Sequence, residues 1–197
     1  MPLNLPNALT LFRVVLVPVV VVALLGEIEN GTIVAAAVVA IAASTDSLDG
    51  YLARSRRDIT DFGRVMDPIA DKLLITAALI SLVSLGRVAP WVAMVIIGRE
   101  LAVSGLRIWA ADQGVTVHSS GLAKRKTLLQ IATVLALILA SDPGAAWALV
   151  LTYATVVITV ISGAQYFVSA WRGVAARRAA AAEAVPEPAI SSEWGSS

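Results

Sequence analysis

The sequence predicts an all-α integral membrane protein with six transmembrane helices preceded by a short interfacial helix at about residues 4–12. Hydrophobic residues make up 58% of the 197 residues and the mean hydropathy is +0.81, whereas soluble domains contain about 45–50% apolar residues. The apolar residues fall in six runs separated by polar or basic connectors. Tryptophans open and close the fourth and sixth runs, as expected at membrane–water interfaces.

The first two apolar runs are too short to cross a bilayer without the polar residues that flank them. Val14–Leu25 is too short to cross a bilayer alone, so residues 7–13 must extend it, and the turn at 26–31 follows. The second run must continue from Thr32 to about Arg54 in order to cross. This extension places Asp46 and Asp49 near its far end.

The remaining spans are expected at 67–85, 91–109, 128–140 and 147–170. Counting from a cytoplasmic N-terminus leaves Arg87 outside and the other 14 of the 15 Lys and Arg on or near the cytoplasmic side, as the positive-inside rule requires. The first span is expected to remain in the mature protein, because Met1–Pro6 has no basic region of a signal peptide. The predicted organisation is a transmembrane catalytic domain at 1–172 and a disordered cytoplasmic tail at 173–197, which lacks apolar periodicity.

Four aspartates flank the connector between the second and third spans. Asp46 and Asp49 are three residues apart, and Asp67 and Asp71 are four apart, so each pair lies on one face of its own helix. Two such faces turned inward form one acidic pocket. Four neighbouring carboxylates require neutralising cations, and an all-oxygen site suits Mg²⁺ or Mn²⁺. The absence of cysteine excludes thiolate nucleophiles and zinc–thiolate sites.

Gly50 and Arg54 extend the pattern toward phosphate chemistry, because glycine permits close approach and a guanidinium binds phosphate oxygens. Structural alternatives exist for single residues: Asp67 before Pro68 fits a helix N-cap, and Arg54 fits a positive-inside anchor. These alternatives do not explain the presence of the other three aspartates. Ionisable groups at membrane depth are costly and usually functional.

Residues 46–71 follow the pattern D-x2-D-G-x2-A-R-x8-G-x3-D-x3-D, which resembles the signature of the CDP-alcohol phosphotransferase family, integral-membrane enzymes of phospholipid head-group synthesis. The resemblance implies that family's fold and the displacement of CMP from a CDP-linked lipid by an alcohol, with one or, as expected here, two Mg²⁺ or Mn²⁺ ions on the diphosphate. It implies that Asp46, Asp49 and Asp67 are metal ligands and that Asp71 is both a ligand and the catalytic base. Four further residues are expected to line the CDP-lipid site: Thr10, Gly50, Arg54 and Thr60. For Thr60, helix capping is the alternative.

A second cluster is cationic and consists of Arg99, Arg107, Lys124 and Lys126. A phosphate-bearing substrate is the expected partner; the alternative is orientation by positive charge with contact to anionic lipid. The cluster resembles the corresponding residues of phosphatidylglycerophosphate synthases within the family, although Ala123 stands where many of those enzymes have a glycine. The resemblance implies CDP-diacylglycerol as donor and sn-glycerol 3-phosphate as acceptor.

Other functions remain open at this point. Inositol phosphate is the nearest alternative acceptor, which would make the chain a phosphatidylinositol phosphate synthase, and cardiolipin synthesis is a third reading. An ion or proton transporter fits less well, because its acidic residues belong near the midplane of repeated halves. The expected setting is the cell membrane, with the active site and both termini cytoplasmic, a homodimer, and no nucleic-acid partner.

Overall fold

Six helices form the part of the chain that the computed structural model describes, residues 5–55, 61–115, 121–142 and 144–183. Side chains are described at 8–45, 69–70, 72–115, 127–142 and 144–179. The helices are α1 (Leu5–Leu25), α2 (Gly31–Ser55), α3 (Asp61–Ser84), α4 (Pro90–Asp112), α5 (Gly121–Leu139) and α6 (Ala146–Glu183). No strand occurs in the described ranges, which confirms the all-α class.

Apolar segments of different length run through these helices. Ala8–Leu25 and Ala146–Ala179 are long and apolar enough to cross a membrane by themselves, and α2, α3 and α5 contain the shorter apolar segments Gly31–Thr45, Lys72–Ser84 and Thr127–Leu139. Outward-facing residues such as Met94 and Ile108 are 75% and 72% exposed. Large apolar side chains exposed on a helical bundle are typical of contact with lipid.

The first helix differs from the prediction, because residues 4–12 do not form a separate interfacial helix. α1 runs without a break from Leu5 to Leu25. Pro6 lies in its first turn, where a missing N–H costs nothing. α1 packs against both α2 and α3, and Thr10 and Arg13 are buried, at 2% and 3% exposure. The start of α1 is thus part of the bundle.

The last helix also differs, since α6 continues to Glu183 rather than ending near residue 172. The alanine-rich sequence explains the extension, because alanine has the highest helix propensity. Arg177 donates from Nη1 to the carbonyl of Gly114 at 2.6 Å, and Arg178 donates to Gln113 Oε1 at 3.2 Å. The extension is thus bound to the end of α4. The rest of the predicted tail, 184–197, lies outside the described residues.

The core joins all six helices through buried residues, with Ala148 and Val156 contributed by α6. Val20, Val39, Leu79, Leu82 and Ile138 are each at most 2% exposed and come from α1, α2, α3 and α5, while Val92 and Ile96 of α4 pack into the same cluster. α6 packs mainly on α4 and α5. This arrangement leaves the connections between helices at two opposite ends of the bundle.

At one end of the bundle, Arg87 connects the α3–α4 loop to the C-terminus of α5. Its Nη1 lies 3.1, 2.8 and 3.2 Å from the carbonyl oxygens of Leu137, Ile138 and Ala140, at the C-terminus of α5. The α3–α4 and α5–α6 connections therefore share one end, which leaves the α2–α3 and α4–α5 connections at the other. Trp91 and Trp109 are separated by roughly 27 Å of helix at 1.5 Å per residue, close to the roughly 30 Å of a bilayer core.

Candidate active site

The four aspartates lie in the turns beside the α2–α3 connection. Their backbones are helical, and their side chains lie outside the described residues; they are Asp46 and Asp49 in α2 and Asp67 and Asp71 in α3. Asp49 lies six residues before the end of α2, and Asp67 lies six residues after the start of α3. Each is thus roughly 9 Å from its helix end. The backbone therefore brings the two pairs to similar depths.

The other predicted residues of the CDP site lie at the same end. Gly50 and Arg54 belong to the last turns of α2, with side chains outside the described part, and Thr60 lies outside the described residues altogether. Thr10 is buried near the start of α1, which packs against α2 and α3. Among the side chains that are described, which include none of the four aspartates, no group of three or more acidic or histidine residues is positioned to hold a metal ion.

The two predicted arginines of α4 both contact α6. Arg99 donates from Nη2 to Ser162 Oγ at 3.1 Å, and Arg107 donates from Nε to the Tyr166 hydroxyl at 3.4 Å. The Arg107 guanidinium also lies 5.7 Å from the centre of the Tyr166 ring, within the range of a cation–π contact. The structure thus brings Arg99 and Arg107 to one interface. Lys124 and Lys126 lie in the first turns of α5, with side chains outside the described part.

Ser162 and Tyr166 were not predicted. They are four residues apart on α6 and share one face of that helix. Two polar side chains four residues apart in an apolar run indicate a polar face on the helix. The spacing alone does not show which neighbouring helix this face contacts.

Arg99 is held in a confined position with an unused donor. Its side chain is 14% exposed, and its Nη1 lies 3.3 Å from Glu100 Oε1. Nε is buried and has no hydrogen-bond partner in the part of the chain described. A buried donor without a partner costs free energy, and an anionic ligand would supply the acceptor. Gly163 makes room for this side chain, because a β-carbon there would lie 3.1 Å from Arg99 Cγ.

A small polar cavity lies between α3, α4 and α5. Its volume is about 60 Å³, and its polar lining consists of Lys72, Thr76, Glu100, Thr127 and Gln130, with isoleucine and leucine side chains completing the wall. One of these residues, Lys72, directly follows Asp71 in the sequence of α3. We refer to this space below as the polar cavity.

Comparison with known proteins gives consistent matches. The family model described as CDP-alcohol phosphatidyltransferase matches residues 3–161. The chain is 39% identical over 187 residues to the CDP-diacylglycerol–glycerol-3-phosphate 3-phosphatidyltransferase of Bacillus subtilis, covering 87% of this chain and 97% of that protein. It is 42% identical over 175 residues to a probable phosphatidylglycerophosphate synthase of Mycobacterium tuberculosis, covering 87% of this chain and 83% of that protein.

A Pseudomonas fluorescens protein with the same name as the Bacillus relative is 39% identical over 180 residues, covering 86% of this chain and 91% of its own length. The residues matched by the family model include the acidic signature, the arginines of α4 and the start of α5. These matches agree with the resemblance predicted from the aspartate pattern, and the chain belongs to the CDP-alcohol phosphatidyltransferase family of transferases.

Proposed function

We propose that this protein transfers the phosphatidyl group of CDP-diacylglycerol to sn-glycerol 3-phosphate, releasing CMP and forming phosphatidylglycerophosphate. The observation that carries the proposal is similarity along 87% of the chain to a relative named for this reaction, together with the complete aspartate signature at the α2–α3 connection. The cationic α4–α6 interface supports a phosphorylated acceptor in particular, because it offers Arg99 and Arg107 to an anion.

The transfer is a single displacement at phosphorus. The primary hydroxyl oxygen of the acceptor forms a bond to the phosphorus of the phosphatidyl group, the bond from that phosphorus to the CMP oxygen breaks, and CMP leaves with the electron pair. Asp71 accepts the hydroxyl proton. No covalent enzyme intermediate is needed, which agrees with a chain that has no cysteine.

Divalent metal ions fit the donor set at the helix ends. The residues that would hold them are Asp46, Asp49, Asp67 and Asp71, whose carboxylates are the hard oxygen ligands that Mg²⁺ and Mn²⁺ prefer. Two bound ions would neutralise the diphosphate and stabilise the negative charge on the departing CMP. The similar depth of the two aspartate pairs in α2 and α3 supports a shared site.

The remaining residues divide between the two substrates. Gly50, Arg54, Thr10 and Thr60 line the CDP-lipid side. Arg99, Arg107, Lys124 and Lys126 bind the acceptor phosphate. The buried Nε of Arg99, which has no partner among the described residues, supports the acceptor assignment.

The membrane arrangement that best suits this reaction has six spans, a cytoplasmic active site and cytoplasmic termini. Exposed tryptophans near both ends of α4, and Trp147 and Trp171 of α6, support it. A homodimer in the cell membrane is part of the proposal, since exposed Gly105 on α4 allows close helix packing.

The direct test supplies purified protein with CDP-diacylglycerol, Mg²⁺ and one acceptor, and measures CMP release. We expect release with sn-glycerol 3-phosphate and at least about tenfold less with inositol 1-phosphate or phosphatidylglycerol, a difference of about 1.4 kcal/mol in transition-state binding. Asp71→Asn protein is the control for chemistry that does not depend on the enzyme. Preferential release with inositol 1-phosphate would overturn the assignment of the acceptor, and no release with any of the three would overturn the proposed reaction.

A further inference from the structure

The polar cavity has no part in binding CDP or phosphate as assigned above. It lies between α3, α4 and α5, with about 60 Å³ of space. Gln130 is 6% exposed and contributes an amide to its wall, and Thr76 and Thr127 contribute hydroxyls. An amide and hydroxyls each donate and accept hydrogen bonds, so the lining is suited to a ligand that does both.

A polar void inside a bundle of apolar helices is costly unless it is used. Polar and ionisable groups at membrane depth are rare and mark the paths or sites of ligands. Here five polar side chains of three different helices line one space, and four isoleucines and one leucine complete its wall. A few convergent polar groups in a largely apolar pocket are typical of a site that fixes the orientation of a ligand.

Glu100 connects the polar cavity to the site of the acceptor phosphate. Its carboxylate lies 3.3 Å from Arg99 Nη1, and the same residue lines the cavity. Lys72, on the opposite wall, directly follows Asp71. The cavity therefore adjoins the salt bridge of the cation assigned to the acceptor phosphate, and one of its lining residues is next to Asp71 in the sequence.

We propose that the polar cavity binds the secondary hydroxyl of a three-carbon acceptor phosphate, with Gln130 and Thr76 as the residues that set this specificity. The inference rests on the proposed function. A free hydroxyl next to the reacting one distinguishes glycerol phosphate from simpler alkyl phosphates, and Gln130 and Thr76 supply both donors and acceptors for it. Neither residue takes part in the proton transfer.

The size of the cavity favours the same class of ligand. One water needs roughly 10–15 Å³ of such space, so 60 Å³ admits about four small groups. A hydroxyl with part of a three-carbon chain fits this space.

The test compares two acceptors that differ only in this hydroxyl: sn-glycerol 3-phosphate and 3-hydroxypropyl phosphate. A site built to hydrogen-bond a hydroxyl discriminates strongly against the analogue without it, because its own polar groups are left unpaired. We expect the wild-type enzyme to prefer glycerol phosphate by at least about 100-fold in kcat/KM. Gln130→Met and Thr76→Val should each reduce this preference by about tenfold or more, and should leave kcat/KM for the analogue within about threefold.

The matched control is Thr152→Val, which removes the hydroxyl of a buried threonine on α6 that donates to Ala148 O of its own helix and lies outside the cavity. It should leave the preference unchanged. Wild-type enzyme that accepts both compounds within about fivefold would overturn the inference without any variant, and so would variants that retain the full preference. If the wild-type enzyme releases no CMP with glycerol phosphate, the proposed function fails instead, so the two failures are distinguishable.

Discussion

Arg99 of α4 and Ser162 of α6 are joined by a hydrogen bond of 3.1 Å from Nη2 to Oγ. The two helices run in the same direction, and further along them Arg107 contacts Tyr166. Each of the two α4 arginines assigned to the acceptor phosphate is thus oriented by a polar residue of α6. Orientation of this kind lowers the cost of binding, because less side-chain freedom is lost when the ligand arrives.

Ser162→Ala should therefore weaken acceptor binding selectively. A hydrogen bond to a charged group contributes roughly 1.5–3 kcal/mol. Because Arg99 keeps its contact with Glu100 in this variant, we expect the loss of binding free energy to lie near the lower value. The KM for glycerol 3-phosphate should therefore rise about tenfold. The KM for CDP-diacylglycerol should change less than about twofold. Ser81→Ala, at a buried serine in the last turns of α3, is the control. Equal increases in both KM values would contradict the orienting role of Ser162.

Gly163→Ala tests the same arginine by a steric route. The added β-carbon would lie 3.1 Å from Arg99 Cγ, so the arginine must shift by a few tenths of an ångström. We expect kcat/KM for glycerol 3-phosphate to fall about three- to tenfold, since small displacements of a positioning group are costly in catalysis.

Gly98→Ala is the matched control for this substitution, because a β-carbon at that position meets nothing within 4 Å. Its kcat/KM should equal that of the wild type. Identical losses in the two variants would mean that helix flexibility, and not the position of Arg99, is responsible.

The sequence predicted where the candidate residues stand along the helices, and their roles in the site stay predictions. The aspartate pairs lie on α2 and α3 as their spacing requires, and Arg99 and Arg107 share one interface. The pairing of these arginines with Ser162 and Tyr166 was not predictable, because it depends on how α4 and α6 rotate against each other. The α6 extension was missed because the lack of apolar periodicity beyond residue 172 was interpreted as disorder, whereas alanine propensity and the Arg177–Gly114 contact stabilise a helix there.

Asp71→Asn should separate chemistry from binding. The amide is nearly isosteric but cannot accept the proton of the acceptor hydroxyl. We expect kcat to fall by at least about 100-fold while CDP-diacylglycerol binding, measured by ligand-dependent thermal stabilisation in Mg²⁺, stays within about threefold of the wild type. Near wild-type turnover would remove Asp71 from the base role.

Arg177→Ala should destabilise the junction between α4 and the α6 extension. Arg177 donates to the carbonyl of Gly114 at 2.6 Å, and Gly114 has a φ of +68°, which ends α4 in a left-handed turn. Loss of this exposed contact should cost about 1 kcal/mol or less and increase hydrogen exchange at 113–115. Arg172→Ala, an exposed arginine of the same helix, should leave the exchange at 113–115 unchanged. Equal exchange in the wild type and Arg177→Ala would show that the contact contributes nothing.

Arg87→Ala should affect stability without affecting substrate preference. The guanidinium binds three carbonyl oxygens at the C-terminus of α5, where a positive charge also interacts favourably with the helix dipole. The site and Arg87 lie at opposite ends of the bundle, so both KM values should stay within about twofold. Charged hydrogen bonds of roughly 1.5–3 kcal/mol correspond to a melting temperature lower by about 5 °C for a chain of this size. Arg87→Lys should recover part of the loss, because an ammonium restores the charge but cannot reproduce the planar guanidinium contact. A melting temperature equal to that of the wild type in Arg87→Ala would show that water or lipid head groups satisfy these carbonyls just as well.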